Sequence, residues 1–114
     1  MAESIRLTDG SDVELDRHHW TGLATQESHS LTAGGRYVTP RLAALQHTDG
    51  RVVVFATVKD GSKMSSAGGE LLPTRDLKPI AAALGRLAAQ FSRGPFLLEG
   101  CLGQIDRRGA AAVN

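Results

Sequence analysis

Two strand-like runs meet at Asp49-Gly50, and this junction constrains the fold more than any other feature of the chain. The stretch RYVTPRLAALQHTDGRVVVFATVKDG sets apolar and β-branched residues on both sides of a dipeptide suited to a tight type I′ turn. With Asp49 and Gly50 as the central turn residues, Leu45 faces Val54, Ala43 faces Ala56 and Arg41 faces Val58. Side chains alternate along a strand, so Ala43, Leu45, Val52, Val54, Ala56 and Val58 form a core face. The outer face then carries Leu42, Ala44, Val53 and Phe55. It is more apolar than a solvated face requires. Those four residues are a candidate binding surface for another segment, a second copy of the chain or a ligand.

The first residues echo this pattern. In SIRLTDGSDVEL, a three-residue loop Asp9-Gly10-Ser11 sets Leu7 opposite Val13 and Ile5 opposite Leu15. Between the hairpins, Asp16 can cap a short helix near 17–25 with Trp20, Leu23 and Ala24 inward. The segment TQESHSLTAGG reads as loop, and Gly34-Gly35 leads into the central hairpin. Pro40 cannot donate a ladder hydrogen bond and suggests an edge strand or a bulge. Residues 60–73, DGSKMSSAGGELLP, read as a small-residue loop with a brief strand at Glu70–Leu72.

A one-sided helix over about 75–92 follows, with Leu77, Ile80, Ala81, Leu84, Leu87, Ala88 and Phe91 at helical spacing. Thr74 or Asp76 can cap it, and Pro79, tolerable only in the first turn, favours Asp76. Gly94-Pro95 is read as its stop, PFLLEGCLGQI as a final strand, and 109–114 as a frayed tail after one domain spanning 1–108. The expected fold is α+β: an antiparallel sheet of two hairpins plus a C-terminal strand, packed by one main amphipathic helix.

Composition bears chiefly on compartment and partner. At 114 residues and 22% charged, the chain is sized and balanced like one globular domain. No apolar run is long enough to span a bilayer, so no membrane partner is expected. The N-terminus lacks a basic region followed by an apolar stretch. Cys101 is the only cysteine, which fits a reducing cytoplasm. Charge is unevenly spread. Glu3, Asp9, Asp12, Glu14, Asp16 and Glu27 outweigh Arg6 and Arg17 in the first 35 residues, whereas basic groups dominate 36–93. The acidic part can pack near the basic middle, or the middle can meet an anionic partner.

Three further features can carry chemistry. Lys78, Arg86 and Arg93 share one arc of the helix, joined by Arg75 if it begins early, and such an arc can lie on phosphates. The ordinary alternative is a solvated helix face. Lys59 and Lys63 flank a Gly/Ser loop whose N–H groups can approach an anion, although no P-loop pattern is present. His18, His19, Glu27, His29 and His47, with Asp16, can be drawn as a metal or acid–base group. No histidine pair has helical ligand spacing, so neither metal nor cofactor is assigned. Cys101 reads as a buried small hydrophobe and Trp20 as a core anchor. The order of sheet, basic loop and helix, with AGGELLPTRDLKPIAAAL at the loop-to-helix position, resembles that of single-strand-binding coactivator proteins. That likeness of order implies nucleic-acid binding.

No motif fixes a reaction. The reading is a small non-enzymatic binding or regulatory module that acts through protein contacts with an unknown partner or a second copy of itself. The alternatives are a nucleic-acid-binding accessory protein using the basic helix face, and a small metal- or histidine-dependent enzyme.

Overall fold

A computed structural model of the chain describes residues 3–31 and 35–113, with side chains described outside 30, 31 and 108–113. A first hairpin joins β1 (Glu3–Arg6) to β2 (Asp12–Leu15). The main antiparallel sheet follows the order β3 (Trp20–Glu27), β5 (Tyr37–His47), β6 (Val52–Asp60), β7 (Lys63–Leu72), and β4 (Ser30–Leu31) pairs with the start of β5. Two helices, α1 (Leu77–Ala88) and α2 (Gly94–Val113), complete the described chain. The result is a single α+β domain in three layers: the first hairpin on one face of the sheet, the helices on the other.

Both hairpins close with the same three residues, Thr-Asp-Gly. Leu7 N–H donates to the Ser11 carbonyl at 2.7 Å, and His47 N–H donates to the Arg51 carbonyl at 2.8 Å. In each loop the aspartate carboxylate accepts the N–H two residues on, Ser11 at 2.9 Å and Arg51 at 3.0 Å. Gly10 (φ 92°) and Gly50 (φ 99°) alone take the left-handed conformation, whereas a type I′ turn would force Asp49 there too. This loop moves both expected registers, with unequal consequences. In the first hairpin Ile5 faces Val13 instead of Leu15, a shift of two that leaves every side chain on its expected face.

In the central hairpin Leu45 faces Val53 and Leu42 faces Ala56, a shift of one. A shift of one turns each β5 side chain over relative to β6. Leu42 and Ala44 therefore join Val52, Val54 and Ala56 beneath Ile80, Ala83, Leu84 and Leu87 of α1 and Leu97, Cys101 and Ile105 of α2. Ala43 and Leu45 join Val53 and Phe55 beneath Ile5, Leu7 and Leu15. The expected outer face is thus divided between two layers. Leu42, Ala44 and Val53 are 0% exposed and Phe55 is 5% exposed. Their cover is the chain itself, save where Phe55 reaches the floor of a cleft beside the first hairpin.

Five other expectations change. The short helix near 17–25 is a single turn followed by β3. Asp16 caps that turn, its Oδ1 accepting from the N–H groups of His18 (3.1 Å) and His19 (2.9 Å), and then the chain extends. A bulge at Leu23 lets both Leu23 and Ala24 face the helices while Trp20 faces the first hairpin. Pro40 lies on central strand β5. Its carbonyl accepts from Ser28 N–H at 3.1 Å, so its nitrogen faces the gap between β3 and β4, where no ladder bond is lost.

The Gly/Ser segment is strand β7, templated by the long strand β6, with a bulge at Ala67-Gly68 where Gly68 has φ 101°. The expected final strand is helix α2, which Gly94-Pro95 opens. Proline is favoured in a first helical turn, and a Cβ on Gly94 would run into the Ala88 carbonyl. Leu97, Cys101 and Ile105 recur at helical spacing on its buried side. The helix backbone continues through the expected tail to Val113; Gly34 and Asn114 lie outside the described residues.

Gln104 of α2 also closes a sheet edge. Its amide accepts from Thr25 N–H at 3.0 Å and donates to the Thr25 carbonyl at 2.7 Å, occupying backbone groups that β3 would otherwise leave open.

Candidate functional site

The first hairpin does not cover the whole face it packs on. Towards β3 it leaves a cleft of about 540 Å³, floored by Ala43, Leu45 and Phe55 and walled by Leu15 and Trp20. Gly22, opposite Leu45 on β3, contributes no side chain there. Four charged residues line the cleft: Arg41 and Arg17, Glu3 and Asp16.

Arg41 belongs to the apolar face because β5 alternates: 41, 43 and 45 point the same way. Its Nε is buried without a hydrogen-bond partner. Glu27 stands directly opposite on β3, yet the two form no ion pair. A buried donor left unsatisfied costs about 1–3 kcal/mol, so this guanidinium is the group in the cleft that most favours an added acceptor. Its signal is in the sequence, because alternation alone sets Arg41 in line with Ala43 and Leu45 in either register; the expectation that the main helix covers that face, in place of the first hairpin, hides the cleft.

The rim next to Trp20 is built from two turns. His19 Nδ1 lies 2.7 Å from Asp16 Oδ1, and this hydrogen bond holds the exposed Asp16 carboxyl below its ordinary value despite an opposing desolvation. The His19 ring stacks on His47 at 5.4 Å, and His47 meets the edge of Trp20 at 4.7 Å. Arg51 lies over Trp20 at 5.7 Å and donates from Nε to Asp49 at 2.8 Å. His47 Nδ1 accepts the Asp49 N–H at 3.0 Å. The same nitrogen lies 3.0 Å from Asp49 Oδ1.

An Asp–His pair is the orienting half of a nucleophilic site, but no hydroxyl or thiol bonds to His19 among the described residues. Cys101 lies across the sheet, fully buried, and burial pushes its thiol up to about 11. His29 pairs instead with Thr39 at 3.0 Å, away from His19. Among the described residues, no group of three or more His, Cys, Asp or Glu is placed to hold a metal ion.

The expected basic arc does not act as one surface. Glu70 of β7 takes Arg86 in a two-pronged pair at 2.7 and 2.8 Å. Arg93, beyond the end of α1, donates to Ser28 at 3.2 Å and lies over Phe96 at 5.6 Å. Arg75 precedes α1, and Lys78 is exposed in its first turn. Lys59 and Lys63 sit in strands β6 and β7, where ladder pairing occupies the backbone expected to cradle an anion.

A second concavity lies on the solvent side of the helix pair. It is a groove of about 600 Å³ between Leu77 and Ala81 of α1 and Leu98 and Leu102 of α2, with Glu99 and Asp106 on the α2 rim. Leu77 is 47% exposed there. At about 100° per residue, Lys78 sits just outside Ala81 on the α1 rim. No helix among the described residues is long and apolar enough to cross a membrane. Comparison with protein-family models, curated proteins and solved structures finds no match to this chain.

Proposed function

We propose that the chain is a small non-enzymatic binding module that acts through protein contacts, with a second copy of itself seated on the α1–α2 groove. The observation that carries this reading is the groove's composition. Glu99 and Asp106 line the α2 side beside apolar Leu77, Leu98 and Leu102, and helical spacing sets exposed Lys78 one step outside Ala81 on the α1 side. None of these three charges forms an ion pair among the described residues. A twofold axis through the groove brings Lys78 of each copy to the acids of the other, so one surface satisfies itself. A regulatory role in the cytoplasm is part of the proposal, supported by a lone cysteine that needs no oxidising compartment. The nucleic-acid reading is weaker, because Arg86 and Arg93 are already engaged.

Light scattering across a concentration series tests the reading. The dimer mass is expected, with a weaker dimer at high salt. Lys78→Glu sets like charges across the axis and should give monomer, and adding Glu99→Lys should restore the dimer. A strict monomer at all concentrations, or a dimer indifferent to Lys78→Glu, would remove the proposal.

A further inference from the structure

We infer that the cleft between the first hairpin and the sheet binds a small carboxylic acid with an apolar body, its carboxylate placed on Arg41. The cleft opens on the hairpin face of the sheet and reaches round the β3 edge to Gln104 of α2, and it shares no lining residue with the α1–α2 groove, so this inference is independent of self-association. Its volume of about 540 Å³ falls in the range of small-molecule sites. Such sites combine an apolar lining with a few placed polar groups, and this one sets Trp20, Leu45 and Phe55 beside Arg41, with exposed Arg17 on the turn before β3.

Arg41 is the group that points to a ligand. Its Nε is buried and has no hydrogen-bond partner, and it forms no ion pair among the described residues. A guanidinium offers a planar fork of donors that matches a carboxylate. The other charges limit the ligand's own charge. Asp16 is committed to His19 and the turn, and Glu3 stands on the same cleft wall. Arg17, the other cation of the lining, is outweighed by Asp16 and Glu3, so a phosphate or dicarboxylate would bring a second negative charge towards these acids, whereas a monocarboxylate leaves only one to be matched by Arg41. The body of the ligand lies over Leu45 in the space that Gly22 leaves open, where an added Cβ would meet only Leu45 Cδ2 at 4.0 Å.

Trp20 is the chain's only tryptophan and lines the cleft, so its fluorescence reports occupancy. Octanoate and 1-naphthoate are titrated against octanol and 1-naphthalenemethanol, which separates the aliphatic and aromatic forms of the ligand from simple apolar binding. Saturable changes are expected with at least one acid, at roughly tenfold or more higher affinity than its alcohol. Arg41→Gln should remove that preference, and Arg41→Lys should retain part of it. Gly22→Leu, on a different strand, fills the space and should weaken acid and alcohol alike. Neither acid binding, or acid preference surviving Arg41→Gln in a folded variant, overturns the inference. So does undiminished binding to folded Gly22→Leu, which would place the ligand elsewhere.

Discussion

Residue by residue, the chain's electrostatics are local. Glu70 is held below its ordinary carboxyl value chiefly by its hydrogen bonds from Arg86, with the charge attraction adding to them and partial desolvation opposing. A depressed carboxylate contributes stability above its unfolded value and loses it as pH falls through its folded value. Arg86→Ala should therefore return the Glu70 titration, followed by NMR, towards ordinary. The stability gap between native and variant chains should close as the medium is acidified through the carboxylate range; a gap independent of pH would count against the pairing. Cys101 makes the opposite point. Burial raises its thiol to about 11, and its Sγ lies 3.4 Å from the Leu42 carbonyl. A thiol reagent at mild pH should label it only as fast as the chain opens, with rapid labelling on adding denaturant. At Gly50 the added Cβ meets nothing within 4 Å, so backbone conformation sets the cost. Gly50→Ala should lose about 1–2 kcal/mol in a denaturant melt, as an L residue is held at positive φ.

At the scale of elements, turns and helix ends decide more than propensity. The Thr-Asp-Gly loops set register by placing only a glycine at positive φ, and they do so identically in both hairpins. The sequence of α2 reads as a strand because FLLEGCLGQI is a short apolar run with two glycines, which periodicity alone assigns poorly. Its Leu97, Cys101 and Ile105 spacing was present in the sequence, but so was strand-like density. What resolves it is packing against β3 and α1, where one narrow face suffices. Leu97 is fully buried on that face. Leu97→Ala should cost about 2–5 kcal/mol, measured by denaturant unfolding, with helical circular dichroism lost in the same transition. Had the segment been a half-buried strand, the helical signal would not follow it.

For the whole molecule, the unequal layers set the expected dynamics. The sheet and two helices share one extensive core, whereas the first hairpin is held by a small cluster around Phe55, by two hydrogen bonds between Thr8 and Gly69 and by a long one from Arg6 N–H to Ser66 Oγ at 3.5 Å. Amides of β1 and β2 should exchange with solvent well before those of β6, and an acid occupying the cleft should slow them. Equal protection in both layers would contradict this order. The α+β class, both hairpins, helix α1 and the inward face of the first hairpin were legible in the sequence, because turn chemistry and periodicity are local. The β5 register, the strand state of 20–27 and 63–72, the helical state of 94–113 and the orphaned Arg41 were not. Those depend on which layer covers each side of the sheet. A one-residue shift changes no local preference, yet it decides whether Leu42 or Ala43 meets the helices and whether Arg41 faces a cleft.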